Sequence, residues 1–153
     1  MLIFPTIEVS GLSENTIRKI LFDLKTVAVV GLSREKGKAS YKVASYLKKH
    51  GFQIVPVNPF AEEILGVRSF KSLLDIPPEI QKTIDIVDIF RPSEDVPQIV
   101  EQSMCLKEMH HNLKVIWVQL GSINEKAAEV AREGGLIVIM NKCMMMEHKR
   151  LFK

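Results

Sequence analysis

Residues 27–42 read VAVVGLSREKGKASYK, and this stretch decides the fold. The apolar run Val27 to Val30 is continuous rather than alternating, as in a parallel strand buried on both faces. It runs directly into Gly31 and a polar loop. Beyond the loop, Val43, Ala44 and Leu47 share one helical face as far as Gly51. Ser40 is the expected cap of that helix. A strand, a glycine turn and a helix in that order open a phosphate-binding α/β unit.

The same alternation continues outward. Strand-length runs rich in Val and Ile recur at residues 53–57, 84–90, 115–120 and 136–140. Between them, Ser93 with Glu94 and Asp95 opens a helix carrying Val96, Ile99 and Val100, with Pro97 tolerated in its first turn. A further helix begins near Asn124-Glu125 and ends at Gly134-Gly135. Ser13 and Glu14, followed by Ile17, Ile20, Leu21 and Leu24, predict a capped amphipathic first helix packed on the sheet edge. Repeated β-α-β units predict an α/β fold: a doubly wound, mainly parallel five-stranded sheet with helices on both faces and right-handed crossovers. Residues 58–84 break the pattern. They read as a long connection with a local turn around Leu73 and room for one short helix.

At 153 residues, one domain is expected over 1–153, with residues 1–25 a helical extension on it. Apolar residues at 46% and charged residues at 25% argue against disorder and fibrous structure. A net charge of +3 is too small and too evenly spread to point to nucleic acid. The Met1–Phe4 run stops at Pro5 and lacks a basic flank, and every other apolar run has strand length, so no membrane span is expected. Two cysteines, Cys105 and Cys143, in no metal spacing suit a reducing, cytoplasmic setting.

Ligands of open α/β sheets bind beyond the carboxyl ends of the strands, where strand order reverses. At those ends stand Gly31, Ser33, Arg34, Lys36, Lys38 and Ser40, then Asn58-Pro59, Arg91-Pro92, Gly121-Ser122 and finally Asn141 to Cys143. Gly31 permits a sharp turn, and the following helix start offers free N–H groups and a favourable dipole to an anion. Hydroxyls of Ser33 and Ser40 add donors. Three cations, Arg34, Lys36 and Lys38, bring more charge than a dinucleotide pyrophosphate needs, so a phosphate-rich ligand is expected. An ordinary NAD site is disfavoured. The chain reads Gly31-Leu32-Ser33-Arg34-Glu35-Lys36 in place of the three-glycine fingerprint, and its second strand ends in Asn58-Pro59 instead of an acid for the ribose. A Walker loop fails as well, because no Gly-Lys-Ser/Thr follows at the required spacing.

Together these residues resemble the small stand-alone CoA-binding proteins, whose Rossmann-like fold is similar to the N-terminal domain of the succinyl-CoA synthetase alpha subunit. The resemblance spans about residues 25–152. It rests on VAVVGLSR at 27–34, KASY at 38–41, PVNP at 56–59, EILG at 63–66, VDIFRP at 87–92, WVQLG at 117–121 and the Cys143-containing tail that ends at Arg150-Leu151. It implies a coenzyme A whose pyrophosphate lies on Gly31, Leu32 and Ser33, with Arg34, Lys38 and Ser40 around its phosphates. Adenine would lie near Asn58 and Pro59. Phe90, Arg91 and Pro92, with Gly121, would line the path of the pantetheine arm.

Other residues carry weaker signals. Arg91 either faces the ligand or pairs with Glu94 or Asp95 on the surface. Cys143 is either an inert, half-buried thiol or, if it faces the ligand, a partner for a mixed disulfide with the CoA thiol. Trp117 reads as core, Cys105 as helix packing, and His110-His111 as cations at a helix end. Met144 to Met146 form an apolar patch beside the site or between subunits. Asp88 is expected to be buried by pairing. No catalytic triad, metal set or carboxylate pair is recognisable at the strand ends, and the phosphorylated histidine and nucleotide domains of the multidomain ligases find no room in 153 residues. The reading is therefore non-catalytic binding of CoA or acyl-CoA, for storage, thiol protection or sensing, with a homo-oligomer or a protein partner left open. The alternatives are an NAD(P)-binding sensor module and the CoA-binding component of a multi-chain acyl-CoA ligase.

Overall fold

A computed structural model describes residues 13–152. The Met1–Phe4 run and the start of the expected N-terminal extension lie outside the described residues. The first helix, α1 (Glu14–Asp23), is capped as its sequence requires, with the Ser13 side chain accepting from the Thr16 N–H. There follow β1 (Thr26–Val30), α2 (Ala39–Lys49), β2 (Gln53–Val57), β3 (Glu63–Ile64), β4 (Val67–Arg68), α3 (Pro78–Gln81) and β5 (Ile86–Ile89). The chain closes with α4 (Val96–His110), β6 (Val115–Val118), α5 (Glu125–Glu133), β7 (Ile137–Met140) and α6 (Met144–Leu151).

Five strands form one parallel sheet in the order β2-β1-β5-β6-β7. The chain is thus an α/β, Rossmann-like fold, with strand order reversing between β1 and β5. Continuous apolar strands serve two cores at once. Val27, Val29, Ile86, Val115, Trp117, Ile137 and Ile139 meet α1, α2 and α6 on one face. Ala28, Val30, Val87, Ile89, Ile116, Val118 and Val138 meet α4 and α5 on the other. Alternate residues of a strand point to opposite faces, so a strand covered on both sides shows no regular polar alternation to betray its period.

Several local expectations need correction. The three later strands are shorter than their apolar runs, because their flanks turn into loops; Leu120, expected in strand, is 59% exposed. Residues 58–84 contain a hairpin, β3 with β4, that the sequence did not suggest. Beyond it, a 3-10 turn at Leu73–Asp75 and the short α3 agree with the irregular reading. Ser40 does not cap α2. It lies inside the first turn, while the cap position is Lys38, which makes no side-chain capping bond. Ser93 starts a 3-10 turn ahead of α4, and its hydroxyl accepts from the Ile123 N–H at 3.1 Å. Cys105, expected to pack, is exposed. The Met patch divides: Met144 is fully buried, Met145 packs on the core and Met146 is 55% exposed. Trp117 is core as expected, with Nε1 donating to the Lys142 carbonyl at 2.8 Å.

Candidate functional site

The turn after β1 is held in place by both neighbouring strands. Gly31 donates its N–H to the Val57 carbonyl of β2 at 3.0 Å, and Phe90 donates to the Val30 carbonyl at 2.8 Å. Gly31 adopts φ +87°, and a Cβ built there would stand 2.4 Å from the Phe90 carbonyl oxygen and 2.9 Å from Arg91 Cδ. No other residue fits. Conformation and crowding each demand glycine, at the point where strand order reverses.

Behind the turn, side chains brace the loop rather than reaching outward. Leu32 is fully buried and anchors the loop in the core. The Ser40 hydroxyl, 5% exposed, accepts from the Ser33 N–H at 2.9 Å, and the Ser33 hydroxyl accepts from the Glu35 N–H at 3.0 Å. From the second position of α2, the Ser40 oxygen thus serves the preceding loop and not a capping bond. Each hydroxyl keeps its own proton for an acceptor. The N–H groups of Ala39, Ser40 and Tyr41 precede the bond from Lys42 N–H to the Lys38 carbonyl, 3.1 Å, so the start of α2 offers donors and the positive end of its dipole. Asn58 ties the second loop to the first. Its amide donates to the Leu32 carbonyl at 2.9 Å, and its side-chain oxygen accepts from Phe60 and Ala61 N–H groups at 2.7 and 3.2 Å.

Beside the Gly31 turn lies a cleft of about 670 Å³. Val30, Val57 and Ile99 give it an apolar floor, while Gln98, Gln102 and Lys71 supply polar groups on the side of α4 and the hairpin. Phe60, 86% exposed, stands at its edge. Arg91 also lines it and is paired as one of its two expected alternatives had it: Nε and Nη2 donate to Asp95 Oδ2 at 3.1 and 2.7 Å. A second recess, about 730 Å³, adjoins the cleft on the hairpin side and is lined by Glu62, Glu63 and Asp75 along with Arg68 and Lys71.

Across β5, the loops after β5 and β6 are cross-linked. The Ser122 hydroxyl donates to the Arg91 carbonyl at 3.0 Å, and the Asn124 amide donates to the Ser93 carbonyl at 3.0 Å. Gly121, φ +93°, sits exposed in that second loop with its N–H donating to Asn141 Oδ1 at 2.8 Å. Cys143, 9% exposed, precedes α6 within the apolar core. Asp88 is the surprise in this region. It is wholly buried, in register with Val29 and Trp117, and neither carboxyl oxygen has a partner among the described residues. The expected pairing is absent, and burial pushes its pKa well above the usual carboxylate value. Asp85, by contrast, sits at the opposite end of the strand and accepts from the Lys25 and Thr26 N–H groups, each at 3.2 Å.

Of the residues named from sequence, Gly31, Ser33, Asn58, Pro59 and Arg91 come together around the cleft. Leu32 and Ser40 support it from behind, and Phe90 contributes its carbonyl under Gly31. Arg34, Lys36, Lys38 and Pro92 are exposed, and none of them lines the cleft; Lys38 lies 4.0 Å from Glu35. Gly121 and Cys143 belong to the β6–β7 side. Phe60, Lys71, Gln98 and Gln102 were not anticipated. Only the exposed aromatic beside Pro59 left a trace in the sequence, since the others depend on how the hairpin and α4 fold back. The histidines are remote from the cleft: His110 meets Gln81 at 2.9 Å, and Tyr46, His50 and His148 cluster where β2 begins.

A family model described as a CoA binding domain matches residues 25–149. An uncharacterized protein of Bacillus subtilis, YneT, is 38% identical over 136 residues, covering 89% of this chain and 94% of that protein. The ADP-forming acetate–CoA ligase II of Archaeoglobus fulgidus is 35% identical over 114 residues, 73% of this chain but only 16% of the ligase. Among solved structures, a hypothetical protein from Pyrococcus horikoshii superposes with a TM-score of 0.85 at 37% identity, over 99% of this chain and 100% of that one.

Proposed function

Since this chain belongs to the CoA-binding domain family and is related to the CoA-binding part of acyl-CoA ligases, we propose that it binds coenzyme A, free or acylated, as a non-catalytic module. One observation carries the reading: a glycine whose Cβ would collide with the Phe90 carbonyl opens onto a cleft of the right chemistry at the switch point. In this reading the pyrophosphate lies over the Gly31–Ser33 turn and the start of α2, and adenine lies against Pro59 and Phe60. The pantetheine arm passes the Phe90–Pro92 turn toward Gly121. The cleft presents amides, hydroxyls and cations, groups suited to holding a ligand. A storage, thiol-protecting or sensing role in the cytoplasm is the role proposed, since each requires no more than binding. Cys143 has no part in it, because a thiol with nine-tenths of its surface covered is a poor partner for exchange.

Asn58 argues against NAD. Its side-chain oxygen is taken by two backbone N–H groups, and no acid stands there for a ribose diol. The ligase resemblance favours a second reading, in which the chain is the CoA-binding component of a multi-chain ligase. Isothermal titration of the reduced protein with CoA, acetyl-CoA and NAD tests the first reading. Binding of CoA without turnover in the presence of acetate and ATP supports it; binding of NAD alone overturns it. A co-purifying chain that confers ligase activity selects the second.

A further inference from the structure

We propose that Lys71 reads the phosphomonoester on the ligand's ribose, so that preference for CoA over dephospho-CoA resides on the hairpin side of the cleft and not in the basic loop after β1. The inference rests on the CoA reading above and concerns how that one site discriminates. Arg34, Lys36 and Lys38 stand outside the cleft wall, and Lys38 already faces Glu35. Arg91 lines the cleft, but Asp95 holds it through two of its nitrogens. Lys71 lines the cleft, is exposed, and has no carboxylate within 4.0 Å among the described residues. Among those residues it is the uncommitted cation of the site.

Its position is set by backbone bonds. Phe70 donates to the Pro56 carbonyl at 3.0 Å, accepts from the Asn58 N–H at 2.8 Å, and forms a parallel bridge with Val57. Phe70 is buried, and the Arg68 guanidinium stacks over its ring at 4.9 Å. The segment therefore adds a short row beyond the edge strand β2. Lys71 sits one strand spacing from β2 and two from β1, roughly 10 Å from the Gly31 turn before its side chain extends. Coenzyme A carries a 5′-pyrophosphate and a 3′-phosphate on the same ribose. A pyrophosphate on Gly31 and a base against Pro59 put that ribose between β1 and β2, with the second phosphate outward, toward Lys71. The neighbouring recess is unsuited to it. Glu62, Glu63 and Asp75 outnumber Arg68 and Lys71 along that recess, and its net negative charge repels the phosphate toward the cleft face of Lys71.

The test is isothermal titration of the full chain and its Lys71→Ala, Lys71→Arg and Lys38→Ala variants with CoA and dephospho-CoA, and with NADP and NAD as a second phosphomonoester pair. Wild type is expected to bind CoA about tenfold or more tighter than dephospho-CoA, as a charge-assisted contact supplies. Lys71→Ala brings that ratio close to one by weakening CoA alone, and Lys71→Arg restores most of it. Lys38→Ala weakens both ligands together. A ratio that survives Lys71→Ala, or a Lys71→Ala loss equal for both ligands, overturns the assignment. So does a wild-type protein that binds the two equally. Failure of the underlying reading looks different: wild type then binds neither CoA nor dephospho-CoA, or discriminates only NADP from NAD.

Discussion

Gly31 and Gly121 stand at the carboxyl ends of strands on either side of β5, with φ values of +87° and +93°. Both looked like ligand glycines. A Cβ at Gly31 would lie 2.4 Å from a backbone oxygen, whereas one at Gly121 would meet nothing within 4 Å. Positive φ says only that the chain turns. Crowding says that two backbones approach so closely that a side chain is excluded, and at Gly31 that approach borders the cleft where strand order reverses. Gly121 instead closes an exposed turn, with its N–H held by Asn141.

Alanine at each glycine puts this difference to the sharpest test. Gly31→Ala is expected to cost about 3 kcal/mol of stability, from positive φ and a clash that backbone cannot relieve, and to reduce CoA affinity by more than about tenfold. Chemical denaturation and titration report the two effects separately. A Gly31→Ala variant that binds CoA normally would erase the distinction between the two turns.

The strand between them carries the next effect. Asp88 holds its proton in the folded chain at pH values where the unfolded chain releases it. Its folded pKa is raised, so its contribution to stability is complete below the unfolded value, near 3.8, and declines as pH rises toward the folded one. Asp88→Asn removes that decline. Relative to wild type, the variant gains stability with rising pH by up to about 1.4 kcal/mol per unit, measured as denaturation midpoints across a pH series. A constant difference would mean that the carboxyl is ionised and partnered. CoA affinity should not follow this change, which separates the support beneath the turns from the turns themselves.

Smaller effects complete the ordering. Gly121→Ala carries only the conformational penalty, about 1 kcal/mol, and lowers CoA affinity by less than about threefold because space for a methyl exists. Asp95→Asn releases Arg91 and removes a negative charge from the cleft wall. The exposed pair contributes little to stability, and CoA is expected to bind about threefold tighter in titration at low salt. Weaker binding would show that Asp95 positions Arg91 for the ligand.

The fold was legible because its strands are buried on both faces: Val27 to Val30 and Val115 to Val118 admit no polar residue, so apolar runs and strands nearly coincide. The turn at Gly31 was legible for a related reason, since a glycine ending such a run marks a sharp exit from strand into loop. What escaped depends on partners distant in sequence. Ser40 has the residue type of a cap, but its oxygen is claimed by Ser33 across the loop. Arg34 and Lys38 are near Gly31 in sequence yet stand outside the cleft, while Lys71 reaches it through the pairing of Phe70 with Val57. That pairing needs a hairpin of two-residue strands, too short to leave a periodic signal. Asp88 looked like half of an ion pair because a buried acid usually has one; only the packed structure reveals that it does not.

Backbone hydrogen exchange with and without CoA is the decisive measurement for the position of the site, because it reports where the ligand lies rather than only whether it binds. A ligand on the Gly31 turn predicts slowed exchange at Gly31 to Ser33, at Ala39 to Tyr41 and in the segment from Asn58 to Lys71, with much weaker change around Gly121. Slowing confined to residues 119–124 and 141–144, with the Gly31 turn and the start of α2 unchanged, would contradict it.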